Sequence, residues 1–294
     1  MADRPVLPAL NAAARAALAE HDAGRISPQV ALMRLVLSGV PAAGLPALLR
    51  DTPTLSALAA RHAAGLAGLE RLVQAGADHA VPAGVAEIGA LFDRLAVIAP
   101  EAAVAAYSLC DPATLRAATA ELVAWLRCEG VLEGRPRVLD LGCGIGRVAA
   151  AIAGEAETVV GLDLASAMVA AARARHGDMG GLRFATCNGR DLAGLDDAGF
   201  HLVLAVDVFP YLVQAGADIA GGMVAEAARV LRPGGHLVIL NFSYGDPAAD
   251  AQTLGVLAAG CGLVLQDAST RPFALWDAAA FRLRRAGLAG AAGL

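Results

Sequence analysis

Within the 294 residues, the stretch VLDLGCGIGRVAA (Val138–Ala150) constrains the fold most. An apolar run ends in three glycines within five positions, Gly142, Gly144 and Gly146, and a helix-forming run begins at once. Glycine lacks Cβ, so these three are expected to take up positive φ and to let a ligand lie against the backbone. A short buried strand, a glycine turn and a helix in direct succession form the opening unit of a parallel, doubly wound sheet.

The rest of the chain after residue 130 fits that reading. Strand-like runs recur at RVLDLG (137–142), TVVGLD (158–163), LRFATC (182–187), FHLVLAVD (200–207) and GHLVILNF (235–242). Helix-like runs separate the early ones, most clearly Ile145–Gly154 and Ser166–His176. Short apolar strands alternating with helices imply a parallel sheet covered on both faces. The runs GLVLQDAS (262–269) and AAFRLRRA (279–286) are expected to close the sheet as a final pair.

Before residue 130 the pattern is helical. Apolar periodicity predicts helices over Pro8–Glu20, Pro28–Leu37, Pro53–Val73, Val85–Ile98 and Pro112–Arg127. Ser27-Pro28, Thr52-Pro53 and Asp111-Pro112 each pair a capping residue with proline at the first helical position. Gly24, Gly39, Gly76 and Gly130 stand where helices stop. The expected organisation is an N-terminal all-helical domain, 1–128, ahead of an α/β domain, 129–294.

All 23 basic residues are arginine, and the chain has no lysine. That excludes a Walker A lysine, a Schiff-base lysine and a lysine general base. A net charge of −5 argues against a nucleic-acid partner. Five cysteines, with no C-x-x-C spacing, point to a reduced, cytoplasmic protein, and no uncharged run reaches the length of a membrane span. Neither H-E-x-x-H nor zinc-type Cys/His spacing occurs, so no metal is implied.

The surroundings of the glycines identify a ligand. Asp163 ends the second strand, 17 residues after Gly146, where a carboxylate accepts hydrogen bonds from ribose hydroxyls. The helix starting near Ile145 is expected to aim its N–H groups into the same space. The spacing G-x-G-x-G differs from the G-x-G-x-x-G of dinucleotide folds. Asp140, just before the loop, suits a cationic amino group and opposes a pyrophosphate. A ribose, an ammonium and no phosphate describe S-adenosylmethionine better than a nicotinamide dinucleotide.

VLDLGCGIGRVA resembles motif I of the class I S-adenosylmethionine-dependent methyltransferases. VVGLDLASAMVAAAR resembles their second motif, with Asp163 at the ribose and Met168 over the adenine. VLRPGGHLVIL (230–240) resembles the stretch leading into their fifth strand. The resemblance implies a seven-stranded Rossmann-like sheet with its last strand antiparallel. It also implies a cofactor site drawn from Asp140, Gly142, Cys143, Gly144, Gly146, Asp163 and Leu164, with Met168 beside them. The adenine contact is left between Asn188, Gly189 and Asp191, because the family's usual acidic residue is replaced by Asn188. The fourth strand opens Phe200-His201 where the family has Phe-Asp, and His201 is read as structural.

Methyl transfer is an in-line displacement that asks mainly for positioning and exclusion of water. Acceptor-site candidates lie in DVFPYL and NFSYG: Asp207, Phe209, Tyr211, Asn241, Ser243 and Tyr244, with Asp207, Tyr211 and Tyr244 as the candidate catalytic groups and Asp207 also beside the cofactor. DVFPYL is similar to the D-P-P-Y of amino-methylating nucleic-acid enzymes, but has one residue too many and lacks the double proline. Tyr107 and Thr119 are candidate lid contacts to the cofactor. The expected partner is a small-molecule acceptor, with oxygen and nitrogen both open. The helical domain is expected to cap the acceptor or form a homodimer. A protein that binds S-adenosylmethionine without catalysis, and a nicotinamide oxidoreductase, are the alternatives.

Overall fold

A computed structural model describes residues 10–74, 76, 84–177 and 180–287. The helical part comprises α1 (Ala12–Asp22), α2 (Pro28–Leu37), α3 (Leu45–Leu48), α4 (Pro53–Arg61), α5 (Ala63–Gln74), α6 (Val85–Ile98), α7 (Pro100–Val104) and α8 (Pro112–Cys128). Two of the expected caps form. Ser27 Oγ accepts from the Val30 amide at 3.2 Å, and Asp111 Oδ2 from the Thr114 amide at 2.7 Å. Thr52 makes no side-chain cap. The predicted helix over Pro53–Val73 is two helices, broken at His62, whose φ of −105° and ψ of 24° leave the helical range. The start predicted at Pro8 lies outside the described residues.

The second half runs β1 (Arg137–Leu141), α9 (Arg147–Ile152), β2 (Thr158–Asp163), α10 (Ser166–His176), β3 (Leu182–Thr186), β4 (Phe200–Val206), α11 (Phe209–Ala215), α12 (Ala217–Val230), β5 (Leu231–Leu240), α13 (Pro247–Gly260), β6 (Leu263–Thr270) and β7 (Ala279–Arg285). The seven strands form one sheet in the order β3-β2-β1-β4-β5-β7-β6. β1 to β5 pair in parallel, and β7 lies antiparallel between β5 and β6. Leu139, Val203, Leu237 and Ile239 are fully buried in the central strands, as sheets covered on both faces require. The order reverses between β1 and β4, and ligands bind beyond the carboxyl ends of strands at such a point.

The chain groups into two units that are each discontinuous in sequence. One takes Met1–Asp78, Arg94–Ala118 and Phe273–Asp277; the other takes His79–Asp93, Thr119–Pro272 and Ala278–Leu294. In the first, Ser27 Oγ donates to Leu275 O at 3.0 Å, and Arg34 pairs with Asp277 at 2.6 Å, which tie the Phe273–Asp277 segment to α2. In the second, the start of β4 is pinned by His201: its Nδ1 accepts from the Arg137 amide at 3.1 Å, and its Nε2 lies 2.7 Å from Arg232. That is the structural role expected of His201. Among the described residues no helix is long and apolar enough to cross a membrane.

Candidate functional site

Gly142, Gly144 and Gly146 follow β1 with φ of +70°, +52° and +77°, a region that residues with Cβ enter only at a cost. What fills the space beside two of them is protein. A Cβ on Gly142 would come within 2.5 Å of Val208 Cγ2, and one on Gly146 within 2.6 Å of the Phe184 ring. The expectation that all three clear room for a ligand is therefore revised, since Gly142 and Gly146 admit neighbouring side chains.

Four of the loop amides are also occupied. Those of Gly142 and Cys143 donate to Leu162 O at 2.7 and 2.9 Å, that of Gly144 to Asp163 Oδ2 at 2.7 Å, and that of Gly146 to Cys143 O at 2.9 Å. The helix begins at Arg147 and has six residues, later and shorter than the predicted Ile145–Gly154, because the glycines hold the chain out of helical dihedrals. The amides of Gly142, Cys143, Gly144 and Gly146 are therefore not open to a phosphate. At the start of that helix, the Ala149 amide hydrogen-bonds to the Asp140 carboxylate.

Asp140, the fourth residue of β1, is 1% exposed, and its Oδ2 has no hydrogen-bond partner among the described residues. Burial pushes its carboxyl up to about 7, nearby Arg147 opposes that rise, and Asp163 adds to it. Arg147 also donates to Thr119 Oγ1 at 3.0 Å, which places Thr119 beside the loop. Asp163 stands at the end of β2 with both oxygens engaged, Oδ2 by Gly144 and Oδ1 by the Ala165 amide at 2.9 Å. It thereby ties the glycine loop to the start of α10. Each carboxylate oxygen keeps further lone pairs for a ligand hydroxyl.

Met168 is 1% exposed on α10. Leu164 lies between two glycines: Cβ atoms built on Gly89 and Gly189 would both come within 3.2 Å of its side chain. Asn188 and Asp191 close a loop on themselves. Asn188 Oδ1 accepts from the Arg190 and Asp191 amides at 2.8 and 3.0 Å, and Asn188 Nδ2 donates to Asp191 Oδ1 at 2.9 Å. Gly189, at the tip, has φ +68° and is buried.

The first half of α6 contributes residues that sequence reasoning missed. Val85 packs beside Gly189 and Gly89 beside Leu164. Asp93 Oδ1 accepts from the Ala167 amide at 2.8 Å and Ser166 Oγ at 3.3 Å, capping α10, whose own N-cap, Ala165, has no side chain to do so. The Phe92 ring meets Tyr211 edge-on at 4.9 Å. The available signal was Gly89, a glycine in a helix interior where propensity disfavours it.

Beyond β4 and β5 the candidate acceptor residues come together. Asp207 and Asn241 both hold left-handed backbones, φ +58° and +60°. Asn241 Nδ2 donates to Asp207 Oδ1 at 3.0 Å, while its Oδ1 accepts from the Ala279 amide at 3.0 Å. Tyr244 hydrogen-bonds to both Asp207 and Tyr211, and the two tyrosine rings stand edge to face at 6.5 Å. Burial and the Asp207 charge push both phenols upward, so both stay protonated. Tyr244 is mounted firmly: Ser243 donates through its amide and hydroxyl to buried Asp250 at 3.1 and 2.8 Å, and accepts from the Gly245 amide at 2.9 Å. Phe209 is fully buried against Phe242, ring centroids 5.6 Å apart, and so serves the core.

Tyr107 belongs to the other unit, where it is 4% exposed and stacks on Trp276 at 5.3 Å. Trp276 in turn stacks on Phe273 at 5.8 Å. All five cysteines are free, and the buried Cys143 thiol is pushed far upward by burial, as suits a packing residue.

Comparison with known proteins agrees with this arrangement. Residues 139–239, about a third of the chain, match the family described as methyltransferase domain. Over 113 residues the chain is 30% identical to the ubiquinone biosynthesis O-methyltransferase of Alkalilimnicola ehrlichii, covering 38% of this chain and 43% of that protein. It is 34% identical over 115 residues to the demethylmenaquinone methyltransferase of Tropheryma whipplei, covering 39% and 45%. The chain thus matches less than half the length of these relatives. The crystal structure of the cyclase SpnF superposes with a TM-score of 0.52 at 17% identity, over 70% of this chain and 98% of that one, and shares the fold. Residues 139–239 thus match a methyltransferase domain, and the motif I loop, the acid ending β2 and the β3-β2-β1-β4-β5-β7-β6 sheet are those expected from the resemblance to class I S-adenosylmethionine-dependent methyltransferases.

Proposed function

We propose that this protein is a cytoplasmic methyltransferase that moves a methyl group from S-adenosylmethionine to a small organic acceptor, with neither nucleic acid nor a membrane as its partner. The observation that carries the reading is Asp140: a buried carboxylate with an oxygen that has no partner among the described residues, beside a glycine loop four of whose amides are already used. An ammonium satisfies such an oxygen and a phosphate does not. The residues therefore fit S-adenosylmethionine, which supplies an activated methyl group on a sulfonium when bound.

In this reading Asp140 takes the amino group of the methionine part, along the backbone of Cys143 and Gly144. Asp163 takes the ribose, and Leu164, Met168, Asn188, Gly189 and Asp191 surround the adenine. Asp207, Tyr211 and Tyr244 hold the acceptor, and aromatic faces near a cation add attraction. Residues 129–294 supply the cofactor site, joined by the first half of α6. The remaining helical residues of 1–128, Tyr107 included, select the acceptor or form a homodimer.

Calorimetric titration with S-adenosylmethionine, S-adenosylhomocysteine and NADH tests the reading. The first two are expected to bind and NADH is not. Asp163→Ala, which removes the ribose contact and frees the Gly144 and Ala165 amides, is expected to weaken cofactor binding by about 1–3 kcal/mol. Unchanged affinity would remove Asp163 from the cofactor site.

A further inference from the structure

The amino ends of β1, β4 and β5, opposite the end that carries Asp207, hold a cluster that the proposed reaction does not use. β4 and β5 pair Phe200 with Leu231 and Leu202 with His236, so Arg232, Pro233, Gly234 and Gly235 stand outside that register, opposite His201. Gly235 permits the close approach, since a Cβ there would lie 2.9 Å from His201 O. The excursion sets Arg232 against the His201 ring, with Nη1 2.7 Å from Nε2. It also accepts from Arg284 Nε, through Gly234 O, at 3.3 Å. Arg137 gives its amide to His201 Nδ1 at 3.1 Å and holds its guanidinium 5.8 Å from the Phe200 ring.

These contacts leave an acceptor missing. Because Nδ1 accepts from the Arg137 amide, the proton of the neutral ring sits on Nε2. Arg232 can only donate. Two donors therefore face each other at 2.7 Å with no acceptor to share. A second ring proton would oppose the Arg137 amide as well. Burial and the Arg232 charge hold the ring's pKa down, Glu157 pulls it up and Arg137 lowers it further, so the ring is neutral. Among the described residues Arg137, Arg232 and Arg284 form no ion pair, in a chain whose net charge is −5. An aspartate at 201, the residue expected there from the family resemblance, would accept from both the amide and the guanidinium. Histidine accepts from one and turns a donor to the other.

We propose that His201 Nε2–H and the Arg232 guanidinium form a binding site for a phosphate-type oxyanion, with Arg137 and Arg284 supplying further positive charge. One oxygen in front of the two nitrogens accepts from both, as it does from the adjacent nitrogens of a single guanidinium, and turns opposed donors into a shared grip. A dianion gains more from three arginine charges than a carboxylate does. Bound there, it joins β4 to the β5 excursion at the end of the sheet remote from the glycine loop. The site is therefore independent of the cofactor reading.

Calorimetric titration of the full chain with inorganic phosphate, phenyl phosphate and acetate, in chloride buffers of constant ionic strength, tests the site. Phosphate should bind saturably in the millimolar range, and acetate about tenfold more weakly. Arg232→Gln, which removes a donor and its charge from an exposed position, should weaken phosphate binding about tenfold. His201→Asp, which supplies the missing acceptor from within the chain, should abolish it. Tighter binding of phenyl phosphate than of the free ion would identify the ligand as a phosphomonoester, and equal or weaker binding would identify it as inorganic phosphate. No saturable heat, acetate bound as tightly as phosphate, or phosphate affinity unchanged in Arg232→Gln or in His201→Asp would each overturn the site. Cooperative denaturant unfolding of both variants shows that a loss of binding is not a loss of fold.

Discussion

Asp140 sits at the end of β1, 1% exposed, in a place where its charge is poorly compensated. Burial raises its carboxyl to about 7 from an ordinary 3.8. Between those two values the folded chain keeps a proton that the unfolded chain has lost. Stability therefore falls as pH rises from about 4 to about 7 and levels off above that. Replacing the charge should relieve the penalty: Asp140→Asn is expected to stabilise the ligand-free protein at pH 8 by up to about 4 kcal/mol, and by little at pH 4. A bound ammonium would hold Asp140 ionised, so S-adenosylmethionine binding at pH 6 should release most of one proton, and much less at pH 8. Calorimetry in buffers of different ionisation enthalpy measures this directly. Proton uptake, or no pH dependence, would place the amino group elsewhere.

The loop from Gly142 to Gly146 shows how an element can be legible while its reason is not. Three glycines after an apolar run announced a strand, a turn and a helix, and the turn is there. Their purpose was read as clearance for a ligand, yet Val208 and Phe184 fill the space beside two of them. Gly142→Ala should therefore cost about 1–3 kcal/mol from overpacking, with some strain from its φ of +70° in addition. Val208→Ala in the same chain should recover the packing share and leave the backbone share. Denaturant midpoints of the two single variants and the double variant separate these.

Other elements divide in the same way. The central strands were visible because runs such as Leu202–Ala205 and Leu237–Leu240 are apolar on both faces, as a parallel sheet covered on both sides requires. α11, α12 and α13 were not assigned. Gly221-Gly222 and an alanine-rich composition blur their periodicity, so tertiary packing decides them. Of the proposed site residues, Asp140, Asp163 and Asp207 stand out in the sequence because each lies at or just past the end of a strand-like run, and Tyr211 and Tyr244 because they follow such runs closely. The cap that Asp93 places on α10 spans 74 residues of sequence, and no local pattern encodes it.

For the molecule as a whole, the interleaving of the two units changes what an independent domain can be. A division at residue 128 follows the change from helical to alternating pattern, yet the unit that holds the sheet also takes His79–Asp93. Those residues supply the neighbours of Leu164 and Gly189, the ring beside Tyr211 and the cap of α10. A chain of residues 129–294 loses all of them at once. Loss of the Phe92 ring is comparable to deleting a packed aromatic side chain, about 3–5 kcal/mol, and loss of the cap adds about 0.5–2 kcal/mol. The shortened chain is expected to bind S-adenosylhomocysteine weakly and to unfold at lower denaturant than the full chain. In the intact protein, Asp93→Ala removes only the cap and should cost about 0.5–2 kcal/mol. Asp93→Asn keeps an accepting oxygen and should recover most of it. A 129–294 chain with full-length affinity and stability would show that α6 merely rests on the sheet unit; a loss shared by the truncation and Asp93→Ala, and relieved in Asp93→Asn, would make the start of α6 a working part of the methyltransferase domain.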